Sequence, residues 1–220
     1  MSALLTVAYN RQEPSPELVE RLAEHLMIGG LAVVPTDTVY ALIGDATAEP
    51  AARAIFRLKN RPEDCALPIF VDEAGSLERW YIHLLPKYRS LTDTFWPGAL
   101  TLVLPVWPGF YLQVGGDGKS VGVRATLEPI IYKVMRKANR YIYATSANPA
   151  GADPQTCDIA AWLKNSANGQ ILWLKPENGF TPGKVSSVVD LTGTVPQVTR
   201  VGAISAERLK KALPDLRINP

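Results

Sequence analysis

Amphipathic helical stretches and short apolar runs alternate along almost the whole chain, and this interleaving narrows the possible folds more than any other feature. SPELVERLAEHLMIGG has Ser15 as a candidate N-cap, Pro16 at the first helical position, an apolar stripe of Leu18, Val19, Leu22 and Leu26, and a stop at Gly29 and Gly30. LAVVPT follows at once and reads as a buried strand ending at Pro35. The same logic predicts helices over AEPAARAIFRLK, LEPIIYKVMRKA, DIAAWLK and SAERLKKAL. It predicts strands over LPIFV, ALTLVLPV, SVGVRAT, RYIYATS, QILWLK, SSVVDLT and PQVTRVG. The pattern is that of an α/β or mixed α+β chain around one sheet. WPGFYLQVGGDGKS and NPAGADPQT read as loops, and PDLRINP as a loose tail.

With 220 residues, 47% apolar and 20% charged, the chain suits one globular domain with a sizeable core. A net charge of +2 does not by itself argue for a nucleic-acid partner. Cys65 and Cys157 lie far apart, with no CxxC and no histidine at ligand spacing, so no zinc site or disulfide framework is expected and a reducing compartment fits. MSALLTVAYNRQEPSPE lacks a basic segment followed by a long apolar run, so neither secretion nor a membrane anchor is expected, and a cytoplasmic location is the default.

Two familiar phosphate-binding patterns fail on inspection. GGDGKS at 115–120 has Gln113 where the first glycine of a P-loop belongs, and it leads into a strand rather than a helix. GFTPGKVS has the wrong spacing, so both read as turns. His25 sits in an amphipathic helix and His83 lacks a nucleophile partner motif. No metal-ligand cluster or spaced carboxylate pair stands out.

Cations and hydroxyls remain, and they recur at the ends of the predicted strands: Thr36 and Thr38, Arg124, Ser146 and Asn148, Ser186 and Ser187, and Arg200. Ligands in open α/β sheets gather there, and such groups suit a triphosphate with a small polar substrate. In RLKNRPEDC, Lys59 and Arg61 stand two positions apart. They would diverge on a continuing helix, but Pro62 predicts a stop that lets Arg61 swing towards Lys59. Spacing alone favours the plainer reading, a solvated pair at a helix C-terminus.

Together, PTDTVYAL, KNRP, FWPGALTLVLP, VGVRAT, ATSAN and SSVVDLTGTVPQVTRVGAIS resemble the threonylcarbamoyl-AMP synthase family, the YrdC-like proteins, in the family order. The resemblance implies a single α/β domain, with a twisted mixed sheet flanked by helices and a concave, positively lined cleft. It divides the chain into an N-terminal segment (1–14), a catalytic domain (15–204) and a C-terminal helix and tail (205–220).

The implied reaction joins L-threonine, bicarbonate and ATP into threonylcarbamoyl-adenylate and pyrophosphate. A separate transferase then modifies adenosine 37 of tRNA. By matched position, Lys59 and Arg61 would be the catalytic pair. The nucleotide would be held by Lys59, Arg61, Arg124, Ser146, Asn148 and Arg200, and threonine by Thr36, Arg124 and Ser186. Mg2+ would accompany ATP, and no protein metal ligands are implied.

The sequence departs from the family at Ala41, where Gly commonly follows the tyrosine, and at Cys65 and Ala66, where a lysine or an Asn-Pro pair is frequent. The chain also stops soon after the catalytic-type domain, so the C-terminal domain of the longer branch is expected to be missing. An RNA-binding or ribosome-associated module, contacting tRNA or double-stranded RNA without synthase activity, is the alternative reading. A carbamoyl-transfer domain of hydrogenase maturation is a second, although the cysteine motifs that accompany it are not in this sequence.

Overall fold

The structure, a computed structural model, describes residues 4–166 and 171–218. In chain order it opens with β1 (Leu4–Tyr9), α1 (Pro16–Met27), β2 (Leu31–Val34), β3 (Ala41–Ile43), α2 (Glu49–Lys59) and β4 (Ile69–Val71). After three short 3-10 turns come α3 (Arg89–Phe95), β5 (Leu100–Pro105), β6 (Ser120–Ala125), α4 (Pro129–Ala138), β7 (Ile142–Tyr143) and β8 (Thr145–Ser146). The chain continues through α5 (Ile159–Ser166), β9 (Ile171–Pro176), β10 (Ser187–Asp190), β11 (Gln197–Arg200), α6 (Ala206–Ala212) and β12 (Arg217–Ile218).

The mixed α/β class holds, but the strands form two sheets rather than one. The five-stranded sheet runs β1-β9-β2-β3-β8 and the seven-stranded sheet β12-β11-β10-β5-β6-β4-β7. Both mix parallel and antiparallel pairs. The run RYIYATS, read as one strand, divides at Ala144: β7 pairs with β4 in one sheet and β8 with β3 in the other. Hydrophobic pattern marks a strand but not the sheet it joins.

The N-terminal segment is part of the fold, since β1 pairs in parallel with β9 from Leu4 opposite Ile171 to Tyr9 opposite Pro176. Within the expected tail, Arg217 and Ile218 pair with Gln197 and Val198 of β11. Gln170, at the start of the strand read over QILWLK, and Asn219 and Pro220, at the end of the tail, lie outside the described residues.

Ser15 caps α1 as its sequence predicts, accepting the Leu18 N–H at 3.2 Å. Leu22, Ala23 and Leu26 of α1 and Ile130, Ile131 and Val134 of α4 cover one face of the five-stranded sheet. A larger core lies beneath the seven-stranded sheet and includes Leu100, Leu102, Leu104, Val121 and Val123. Helix α3 escaped the sequence reading because seven residues give too little periodicity.

Candidate active site

Strands β5 and β6 alternate strictly. Leu100, Leu102 and Leu104, with Val121, Val123 and Ala125, point into the core. Thr101 and Val103, with Ser120, Gly122 and Arg124, therefore face the other side, because successive strand residues alternate. Register extends this row: Phe70 of β4 lies opposite Arg124, and Val188 of β10 opposite Thr101. Thr36 and Thr38 from the turn after β2, Ala41 of β3, Thr145 and Ser146 of β8, and Arg61 after α2 complete the enclosure with Ser186 and Arg200. The result is a cavity of about 300 Å³ between the two sheets. Gly122 allows a close approach in its floor, since a Cβ there would meet Pro68 Cβ at 3.2 Å.

Three guanidiniums and no carboxylate line this cavity among the described residues. Arg124 is only 6% exposed; its Nε donates to Gly98 O (2.9 Å), its Nη1 donates to Thr38 Oγ1 (2.9 Å), and its Nη2 lies 2.7 Å from Asp37 Oδ1. Burial weakens its hold on the proton, and Asp37 offsets that effect. Arg200 donates from Nε to Ser186 O (2.9 Å) and from Nη2 to Ser186 Oγ (3.0 Å). Its proton is also held less tightly, first through burial and then through repulsion from Arg124. Arg61 donates to Cys65 O (3.0 Å) and Ala66 O (2.9 Å).

The hydroxyls are equally fixed. Thr36 Oγ1 donates to Val39 O at 2.7 Å and accepts the Thr38 N–H at 3.1 Å, so the turn holds itself in shape. Ser186 Oγ lies 2.9 Å from Thr101 Oγ1. Ser187 turns away instead, donating to Ile204 O and accepting from the Gly202 and Ile204 N–H groups.

Of the eight residues assigned roles by matched position, Thr36, Arg61, Arg124, Ser146, Ser186 and Arg200 line the cavity, whereas Lys59 and Asn148 do not; of the two further strand-end hydroxyls, Thr38 lines it and Ser187 does not. Lys59 and Arg61 therefore do not both line this cavity. Lys59 is 3% exposed, and its Nζ donates to the carbonyls of Ser146 (2.5 Å) and Asn148 (2.6 Å). Asn148 donates from Nδ2 to Pro149 O (2.8 Å) and Ala152 O (2.7 Å). Both side chains build the wall behind Ser146.

The helix stop also has a different origin from the one expected. Asn60 adopts a left-handed conformation (φ 50°), and the Arg61 N–H returns to Phe56 O at 2.9 Å, so the turn is made before Pro62.

Sequence reasoning missed Thr101, Ser120 and Thr145, which also line the cavity. A usable signal existed for Thr101: it is the one hydroxyl in LTLVLP, out of phase with the leucines.

The order of elements and this site place the chain in the Sua5/YciO/YrdC family: the family model, described as Telomere recombination, matches residues 24–202. Among its relatives is the threonylcarbamoyl-AMP synthase of Pyrococcus abyssi, 32% identical over 98% of this chain and 63% of that protein. The threonylcarbamoyl-AMP synthase of Bacillus subtilis is 28% identical over 84% of this chain and 53% of that protein. This chain thus spans between half and two-thirds of the length of both. A crystal structure of P. abyssi Sua5 complexed with L-threonine matches with a TM-score of 0.83 at 30% identity, covering 100% of this chain and 63% of that one.

Proposed function

We propose that this protein makes L-threonylcarbamoyl-adenylate from L-threonine, bicarbonate and ATP, releasing pyrophosphate. The observation that carries this reading is the convergence of Arg61, Arg124 and Arg200 with Thr36, Ser146 and Ser186 on one cavity that has no lining carboxylate among the described residues. Guanidinium forks suit phosphate and carboxylate oxygens, and the hydroxyls suit a small polar amino acid. The relatives' names point to the same activity.

The threonine amine forms a carbamate with bicarbonate or carbon dioxide, and a carbamate oxygen attacks the α-phosphorus as pyrophosphate leaves in line. This step depends on alignment and charge neutralisation rather than on a side-chain base. The lack of a histidine in the lining agrees with that. Arg61, Arg200 and Ser146 are assigned to the nucleotide, Thr36 and Ser186 to threonine, and Arg124 to the boundary between them. Lys59 and Asn148 act from behind by holding the Ser146 segment. Since the lining offers no carboxylate, Mg2+ would arrive on the nucleotide's phosphates and keep water as its other ligands.

The adenylate is a reactive mixed anhydride, which argues for transfer to a separate tRNA-modifying enzyme in the cytoplasm. The test incubates the protein with ATP, Mg2+, bicarbonate and threonine and analyses the products by mass spectrometry. Threonylcarbamoyl-AMP and threonine-dependent pyrophosphate are expected. Pyrophosphate release indifferent to threonine would overturn the assignment. Binding of RNA with no adenylate formed would favour the RNA-binding alternative.

A further inference from the structure

Asp37 does not line the cavity, yet it forms an ion pair with Arg124, which does. Its Oδ1 lies 2.7 Å from Arg124 Nη2 and accepts the Thr126 hydroxyl at 2.8 Å. The side chains of Arg124 and Asp37 are 7% and 16% exposed, so water screens the pair weakly. Arg124 Nε donates to Gly98 O and Nη1 to Thr38 Oγ1, whereas the buried Nη2 makes no well-aligned hydrogen bond and has only the Asp37 Oδ1 charge, 2.7 Å away, to compensate it. Two of these oxygens are neutral and only Asp37 brings charge.

Asp37 is held in place by a closed ring of contacts. Thr126 Oγ1 also accepts the Glu128 N–H at 3.2 Å, Glu128 accepts Arg11 Nε at 2.8 Å, and Arg11 Nη2 donates to Thr36 O at 2.8 Å. Thr36 precedes Asp37 in the chain, so the ring ties the turn after β2 to the end of β6 and the start of α4.

We propose that Asp37 is a positioning residue that acts through Arg124. It fixes the plane of the guanidinium and balances one of the three cationic charges around the cavity, so that an oxyanion is held in one pose and not merely attracted. This rests on the function proposed above, but it makes a separable claim. Removing the charge should leave anion binding intact or stronger while impairing turnover, because a cationic cavity still attracts phosphate but no longer aligns it.

The test compares the full-length protein with D37N and T126V. Calorimetric titration with inorganic pyrophosphate reads anion binding, and adenylate synthesis gives kcat and KM for ATP. The 15N-guanidinium NMR signals of Arg124 read its rotation. For D37N, pyrophosphate affinity should stay equal or rise by up to about tenfold, while kcat falls by about tenfold or more. Arg124 should give resolved, slowly rotating signals in the wild type and averaged ones in D37N. T126V, which keeps the carboxylate but loses one of its supports, should fall between the two. If D37N does not fold, D37E retains the charge one methylene further out and should show reduced kcat with pyrophosphate affinity preserved.

Unchanged Arg124 signals in D37N, or affinity and kcat falling together in proportion to the folded fraction, would overturn the proposal. If the wild type makes no adenylate, the functional reading fails, while the NMR and pyrophosphate measurements still decide the role of Asp37.

Discussion

Burial and the neighbouring Arg61 charge lower the Lys59 ammonium to about 8, although it donates to two backbone carbonyls. Because its folded value lies below the unfolded one, this group's contribution to stability rises as the pH climbs from about 8 towards the ordinary lysine value. K59M should abolish that rise, which urea titrations between pH 7 and 10 would measure. Lys59→Ala strands two carbonyls and should cost about 1–3 kcal/mol of stability. Asn148→Ala should likewise lower the unfolding midpoint, since its amide holds Pro149 O and Ala152 O. Arg61→Ala is different, because its guanidinium lines the cavity. It should reduce adenylate synthesis about ten- to a hundredfold, as expected for a charge-assisted contact worth roughly 1.5–3 kcal/mol. Equal kinetic effects from Arg61→Ala and Asn148→Ala, measured on folded protein, would contradict this division.

At the level of elements, the end of α2 sets where Arg61 begins. Asn60 tolerates its left-handed conformation better than most non-glycine residues. Asn60→Ala should therefore cost about 1 kcal/mol while Asn60→Gly stays near neutral, read by urea denaturation, with ATP use falling in the alanine variant. The sequence made the long helices and apolar strands legible through capping and periodicity, as α1 and the paired β5 and β6 illustrate. Strands β3, β7 and β8 were harder, since two or three residues carry no period and their partners lie far away in the chain. The same limit explains the site. Arg124 and Ser186 could be picked out by residue type and matched position. That Lys59 turns inward depends on the fold of residues 146–148, which no local pattern around Lys59 encodes.

At the level of the whole molecule, the cavity takes its walls from both sheets, so a ligand there joins them. Pyrophosphate or ATP at a hundred times its dissociation constant should stabilise the protein by about 2.7 kcal/mol, visible as a higher thermal midpoint. Hydrogen exchange should slow at β8 and β10 together; slowing confined to one sheet would show that the ligand sits elsewhere. The pairing of Leu4 with Ile171 also bears on biosynthesis. When β1 leaves the ribosome its partner has not yet been made, and it must stay unpaired until β9 has been translated. The enclosure needs Thr36 and Arg200 together, so it can close only once β11 has been translated. A nascent chain stalled before β11 would expose an open strand edge and no complete binding site, making it a target for chaperones rather than a partly working protein.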